Sequence, residues 1–171
     1  VFEGLHRIGP DNTIVPGIAE SYELSEDNKT YTFKLREDAV WSDGTPVTAH
    51  DFVYSWRKAI HPDTAAYFGY LMLDIKNAAK IQNPDDELYG KAEELGIKAA
   101  DDYTFVVELE YPVPYFIGLT ATSVFFPQNK EFVEAQGENY ALDVDSMIYN
   151  GPFVLDTWKQ GEGWTMKKNE T

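Results

Sequence analysis

From Thr30 to Arg36 the chain alternates. Tyr31, Phe33 and Leu35 are apolar, and Thr32, Lys34 and Arg36 are polar. A period of two predicts a half-buried strand with one face turned inward. "AESYEL" precedes it across "SEDN", a turn of residues that bond locally to backbone, so the two arms predict a hairpin. The same alternation returns at Tyr103, Phe105, Val107 and Leu109, the second arm of "IKAADDYTFVVELE". A third hairpin, "GPFVLDTWKQGEGWTMKK", turns at "QGEG". Between these the period changes. Phe52, Val53, Trp56 and Ile60 fall at helical spacing and predict a helix from about Ala49 to Ile60. Thr48 and Asp51 have capping-box spacing, with Asp in place of Glu, and "HPD" ends the helix.

The weaker patterns predict helix at Asp74 to Ile81, a short helix at Lys91 to Leu95 closed by Gly96, and one in "PVPYFIGLTA" with Pro in the first turn. "NKEFVEAQG" predicts a helix ending at Gly137, and "GPDNT", "VPG" and "SDGTP" predict turns. Tyr111 to Asn129 carries no charge and reaches the length of a membrane span. Pro112, Pro114, Gly118 and Pro127 interrupt it, so it predicts a buried loop-helix-loop instead. The expected core holds Tyr31, Phe33, Leu35, Trp41, Phe52, Trp56, Phe105 and Val107. Locally paired strands with interspersed helices indicate a mixed α/β class.

With 171 residues the chain fits one domain or slightly more, and 43% hydrophobic residues suffice for a core. The net charge of −15 argues against a nucleic-acid surface, which needs clustered Lys and Arg, and against docking on anionic lipid. Without cysteine there is no disulfide or thiolate chemistry. The start at Val1 and the end at "MKKNET", just after an expected strand, suggest a fragment of a larger protein, with any targeting segment outside it.

Candidate chemistry is sparse. No G-x-S-x-G and no phosphate-cradling glycine motif occurs. "DVDSMIYNG" starts like a calcium loop, but Met147 and Ile148 stand where a carboxylate and glycine belong. His6, His50 and His61 lack metal-ligand spacing and are expected to be solvated or capping. The 29 acidic residues always allow a carboxylate pair, yet none is singled out. Asp43 before Gly44 is what a tight turn needs. Trp41 and Trp56 are expected to anchor the core rather than stack on sugar. No catalytic residue, cofactor site or metal site is predicted.

"VPGIAESYELSEDNKTYTFKLREDAVWSDGTPVTAHDFVYSWRK" resembles the signature region of the extracytoplasmic oligopeptide-binding proteins, the family 5 solute-binding subunits of peptide ABC importers. "VFEGL", "HPDTAAYFGYL", "LGIKAADDYTFVVELEYPVPYF" and "YNGPFVL" follow in the family's order and spacing, so the resemblance spans nearly the whole chain. It implies a fragment of the periplasmic-binding-protein-like type II fold, in which two hinged lobes carry an extra inserted domain. Residues 1–127 would be that extra domain, leaving the main lobe near "VFEGL" and re-entering it near "FFPQNK". Residues 128–171 would be a partial segment of the main ligand-binding lobe.

The resemblance further implies capture of extracellular oligopeptides and their delivery to membrane permease subunits, without bond chemistry. Such proteins enclose an extended peptide as a strand partner by hinge closure. Most ligand-holding residues would lie beyond Thr171. Within this chain, one aromatic of "DTAAYFGYL" would face the peptide: Tyr67 across a one-residue gap, or Phe68 or Tyr70 with the gap placed otherwise. Thr122 and Ser123 would line the cleft more weakly. The protein would be extracytoplasmic, either periplasmic or a lipoprotein anchored on the outer face of the cell membrane. Other ligands in the same family are dipeptides, signalling peptides, oligosaccharides and nickel, and a carbohydrate hydrolase is the reading from another class. Unpaired edges in the last hairpin are expected to favour self-association or local disorder.

Overall fold

The computed structural model describes all residues from Val1 to Thr171. Two short strands, β1 (His6–Ile8) and β2 (Ile14–Pro16), pair antiparallel around "GPDNT". The hairpin of β3 (Ala19–Leu24) and β4 (Thr30–Leu35) follows. The helix α1 (Ala49–Ile60), the short helix α2 (Ala78–Gln82) and the hairpin of β5 (Ile97–Asp101) and β6 (Thr104–Glu108) come next. The chain ends with the single turn α3 (Phe116–Leu119), α4 (Lys130–Gln136) and a separate hairpin of β7 (Phe153–Lys159) and β8 (Gly163–Lys168). The central sheet is antiparallel in the order β3-β4-β6-β5.

Two of the three predicted hairpins build that sheet, joined through β4 and β6. Their register sets Tyr31 opposite Val107 and Phe33 opposite Phe105, so the alternating apolar positions of both strands share one face. All four are buried, and the Phe33 and Phe105 rings stack at 6.3 Å. Helix α1 lies on this face, its Trp56 edge-on to Phe105 at 5.0 Å. Every residue of the expected core is buried.

The stretch from Val40 to Trp56 is structural punctuation, as its composition suggested. Gly44 has φ +87°, and Asp43 accepts from the Thr45 N–H at 2.9 Å and hydroxyl at 2.6 Å. The buried Asp51 carboxylate accepts from the Thr48 N–H at 2.8 Å and the Trp41 indole N–H at 3.3 Å. One carboxylate thereby satisfies an orphan donor at the start of α1 and fixes the indole of the preceding turn.

Several expectations need correction. "VPG" is not a free turn, because Pro16 lies in β2 opposite His6. Pro suits a short, two-stranded ribbon, where its missing N–H is not needed. The helix expected from Asp74 starts only at Ala78, because the segment before it serves as a sheet-like neighbour. Ile75 bridges Leu109, and the Lys76 N–H donates to the Glu108 carbonyl at 2.9 Å. Lys91 to Leu95 contains only a 3₁₀ turn, Ala92–Glu94. Gly96 is needed there for close approach, since an added Cβ would meet the Lys76 Cβ at 2.7 Å.

The uncharged run is only partly buried. Val113, Phe116, Thr120 and Phe125 are inside, while Tyr111 and Tyr115 are exposed. No helix is long and apolar enough to cross a membrane. His6 is buried rather than solvated. Its Nδ1 lies 2.8 Å from the Thr120 hydroxyl oxygen, whose own proton goes to the Ile117 carbonyl at 2.7 Å. The hydroxyl must therefore accept, which places the ring proton on Nδ1. Burial pushes the His6 pKa down, favouring this neutral form.

Two predictions follow from this packing. Trp56→Ala should cost about 3–5 kcal/mol, the range for emptying a large aromatic site, measured by urea unfolding. Burial raises the Asp51 pKa above the ordinary value of 3.8. The unfolded chain gives up this proton first, so the Asp51 contribution to stability is fullest below 3.8 and falls as pH rises through the folded value. Asp51→Asn keeps an acceptor for both donors and does not titrate. Its stability relative to the parent should therefore rise as pH climbs from below 3.8 to neutrality. Parallel unfolding curves across pH check this, and a falling difference would contradict it.

Candidate functional site

The loop that follows α1 is tied down at its ends and open at its tip. His61 caps the 3₁₀ turn Pro62–Thr64, its ring nitrogen accepting from the Asp63 N–H at 3.3 Å. Ala65 adopts φ +47°, which swings the chain outward. A second 3₁₀ turn, Gly69–Met72, ends in Met72, which is fully buried. Between these anchors Tyr67 is 86% exposed, Phe68 43% and Tyr70 63%. Tyr67 and Phe68 meet edge to face at 4.9 Å. The three candidate aromatics thus form one exposed cluster on a fixed base.

Thr122 and Ser123 differ in placement. Thr122 donates its hydroxyl proton to the Leu119 carbonyl at 2.7 Å, closing the turn locally. Ser123 is exposed and lines a pocket of about 350 Å³ with Thr64 and Ala66, the start of the aromatic loop. The structure brings Ser123 and this loop to one pocket wall and leaves Thr122 out of it.

The pocket is held open by hydrogen bonds from α1. The Trp56 indole N–H donates to the Phe125 carbonyl at 2.9 Å, and the Ser55 hydroxyl to the Phe126 carbonyl at 2.6 Å. These fix the 3₁₀ turn Ser123–Phe125 and the chain after it against the helix. Phe2, Val124 and Phe126 form apolar wall, and Lys58 and Tyr140 also line the pocket. The Lys58 ammonium lies 5.6 Å from the Tyr54 ring centre and 5.9 Å from that of Tyr140. Gln128 contributes a buried carbonyl oxygen that has no donor. Sequence reasoning did not single out Lys58, Phe2, Gln128 or Tyr140. Only Tyr54 and Lys58, four apart on α1, carried a local signal.

A second polar constellation joins the base of the loop to the uncharged run. Asp74 accepts from the Tyr111 hydroxyl at 2.6 Å and the Tyr115 hydroxyl at 3.1 Å. Hydrogen bonding to this carboxylate, and its charge, push both phenols above their ordinary pKa. No group of three His, Cys, Asp or Glu side chains converges as a metal would require.

The sequence from residue 13 to 171 matches the family described as bacterial extracellular solute-binding proteins, family 5 Middle. The dipeptide-binding protein DppE of Bacillus subtilis is 36% identical over 171 residues, covering 100% of this chain and 31% of DppE. The periplasmic oligopeptide-binding protein OppA of Salmonella typhimurium is 42% identical over 172 residues, covering 99% of this chain and 30% of OppA. Among solved structures, the substrate-binding domain of an oligopeptide ABC transporter from Bacillus anthracis superposes with TM-score 0.92 at 47% identity. It covers 99% of this chain and 32% of that one. Listeria monocytogenes OppA bound to peptide gives TM-score 0.91 at 46% identity, covering 99% and 33%. The chain therefore spans about a third of the length of these proteins.

Proposed function

The chain belongs to the family 5 bacterial extracellular solute-binding proteins, and from that premise we propose that it is part of the oligopeptide-capturing subunit of an ABC importer. It binds peptides outside the cytoplasmic membrane and hands them to permease subunits without making or breaking bonds. The observation that carries this reading is the end-to-end likeness to peptide-binding structures, at TM-scores of 0.92 and 0.91 with nearly half the residues identical. The exposed aromatic loop supports it, because rigidly based aromatics give contact area at low entropic cost. A lipid anchor on the outer face of the cell membrane fits the same role.

Residues 1–127 act as an inserted domain and 128–171 as part of the main lobe. Two features support this division. The hairpin β7–β8 pairs with no strand of the central sheet. "VFEGL" bonds to the later part of the chain: the Glu3 N–H donates to Asn150 at 3.0 Å, Asn150 donates back to the Glu3 carbonyl at 2.9 Å, and the Gly151 N–H donates to the Val1 carbonyl at 2.9 Å. These bonds set "VFEGL" against the 128–171 segment, as expected at the boundary where an inserted domain would leave the main lobe. The hairpin exposes Phe153, Trp164 and Met166, and two strands alone are marginally stable in water. Its edges favour self-association of this chain.

Tyr67 contacts the peptide in the intact protein. Tyr67→Ala there should weaken peptide affinity by about 1–2 kcal/mol, the loss of one aromatic contact, while stability changes by no more than about 0.5 kcal/mol. Calorimetry and urea unfolding measure the two. Unchanged affinity, with a loss in Phe68→Ala or Tyr70→Ala, would move the contact along the loop.

The 171-residue chain alone should bind a short mixed-sequence peptide weakly. A partial cleft keeps the entropic cost of immobilising a peptide and lacks most of the groups that offset it. Attraction of cationic peptides to its negative charge should fade with salt, as screening shortens to about 8 Å at physiological ionic strength. Salt-resistant micromolar binding would place the main site inside this chain. Sedimentation over a range of concentrations tests self-association, and a monomer throughout with slow hydrogen exchange across Phe153–Lys168 would contradict it.

A further inference from the structure

The β1–β2 ribbon contributes a single buried side chain to the rest of the fold. From His6 to Pro16 every residue is exposed or half-buried except His6, which is 5% exposed. Ile8 and Ile14, paired across the ribbon, stand out in solvent. The residues that flank the ribbon, Leu5 and Gly17, are buried, and the Gly17 N–H donates to the Leu5 carbonyl at 3.0 Å. The ribbon is therefore a flap with its hinge at Leu5 and Gly17 and its anchor at His6. Two strands alone are marginally stable in water, so the anchor decides whether the flap stays ordered against the core.

That anchor can ionise. Its Nδ1–H donates to the Thr120 hydroxyl oxygen at 2.8 Å, and Thr120 commits its own proton to the Ile117 carbonyl at 2.7 Å. The imidazole stands edge-on to Tyr22 of β3 and Phe33 of β4, each ring centre 6.0 Å away, and across the ribbon it lies opposite Pro16. None of these groups carries charge in the acid range. Glu3 and Arg7, the charged residues nearest along the chain, pair with each other at 3.5 Å. An imidazolium in this seat gains a second N–H without an acceptor and a charge without a carboxylate. Burial is accordingly the cause of its lowered pKa, and no acid offsets it.

We propose that His6 is an acid-released latch: neutral, it docks the β1–β2 ribbon on the core through Thr120, and protonated, it leaves that seat, so that the ribbon opens about Leu5 and Gly17 while the four-stranded sheet stays folded. The sheet has its own supports, since Phe33 also stacks on Tyr31 at 5.9 Å and on Phe105 at 6.3 Å. Opening uncovers the Thr120 hydroxyl and the sides of Tyr22 and Phe33 that the imidazole meets. The latch is separate from the Tyr67 loop and does not depend on the importer assignment. Its sign follows from linkage. Above 6.5, the ordinary histidine value, the open and closed forms are both neutral and the latch is fully engaged. As pH falls below 6.5 the open form takes up its proton first. Closure then weakens by about tenfold per pH unit, until the closed form is protonated as well.

The test is NMR of the 171-residue chain between about pH 8 and about pH 5. The His6 ring protons should titrate below 6.5. A ribbon off its seat is a marginal strand pair, so its amides, Gly9 among them, should lose hydrogen-exchange protection as it opens. Corrected for the intrinsic pH dependence of exchange, that protection should fall by about tenfold per pH unit below the ordinary histidine value. Protection of Phe33 and Phe105 should hold. His6→Gln offers Thr120 a neutral N–H donor and cannot ionise, so its ribbon protection should not vary with pH. His50 and His61 still titrate in that variant, beside Asp102 and Asp63, which isolates the effect of His6. If His6→Gln does not fold, the titration and exchange of the parent chain decide the matter by themselves. A His6 pKa at or above 6.5, ribbon protection level across the range, an equal loss in the sheet amides, or an unchanged profile in His6→Gln would overturn the proposal.

Discussion

The fold and the candidate site both depend on one indole. Trp56 projects from α1 into the junction between the sheet and the later part of the chain. It meets Phe105 edge-on at 5.0 Å and Phe125 at 4.9 Å, and its N–H satisfies the Phe125 carbonyl at 2.9 Å. A buried carbonyl without a donor would cost about 1–3 kcal/mol. The indole covers apolar surface and supplies this bond at once. The same contact fixes the segment whose neighbours, Ser123, Val124, Phe126 and Gln128, line the pocket. Core packing and pocket shape are therefore one constraint, and loosening Trp56 would release both.

Elements whose stabilising contacts are local could be read from the sequence. The α1 boundaries, Ala49 to Ile60, came from helical spacing and a cap three residues away, and both signals lie within the helix itself. Tyr31, Phe33, Leu35, Phe105 and Val107 were legible because a strand on an apolar face must alternate. The failures share a cause. Asp74 to Asn77 looked helical, yet Ile75 and Lys76 pair with Leu109 and Glu108, partners more than thirty residues away. Pro16 looked like a turn residue, although β1 across the turn takes it up as a strand. In each, tertiary pairing overrode a weak local preference. His6 is the same kind of case, since its burial depends on Thr120, Tyr22 and Phe33.

The site was legible only where resemblance supplied the position. Composition alone marks Tyr67, Phe68 and Tyr70 as aromatics in a loop, and nothing in their spacing says that all three face outward. The pocket was not legible at all. Its walls come from Phe2, α1, the start of the aromatic loop, the Ser123–Gln128 segment and Tyr140, regions separated by tens of residues.

How the aromatic loop is mounted bears on how it would act. Exposed tyrosines on a mobile loop lose entropy when a ligand orders them, which subtracts from affinity. Here the loop is tied at both ends. His61 caps its first turn, Met72 and Ile75 are buried behind it, and Asp74 is held by two tyrosine hydroxyls from the far side of the fold. The tip is exposed while the base is part of the core, so the rings are presented largely in place. This arrangement suits a binder that accepts varied ligands, because affinity then derives from surface prepared in advance rather than from refolding around each one. It also separates the two properties a mutation can disturb. Truncating Tyr67 removes contact surface and leaves the base intact, whereas truncating Met72 would loosen every aromatic the base supports.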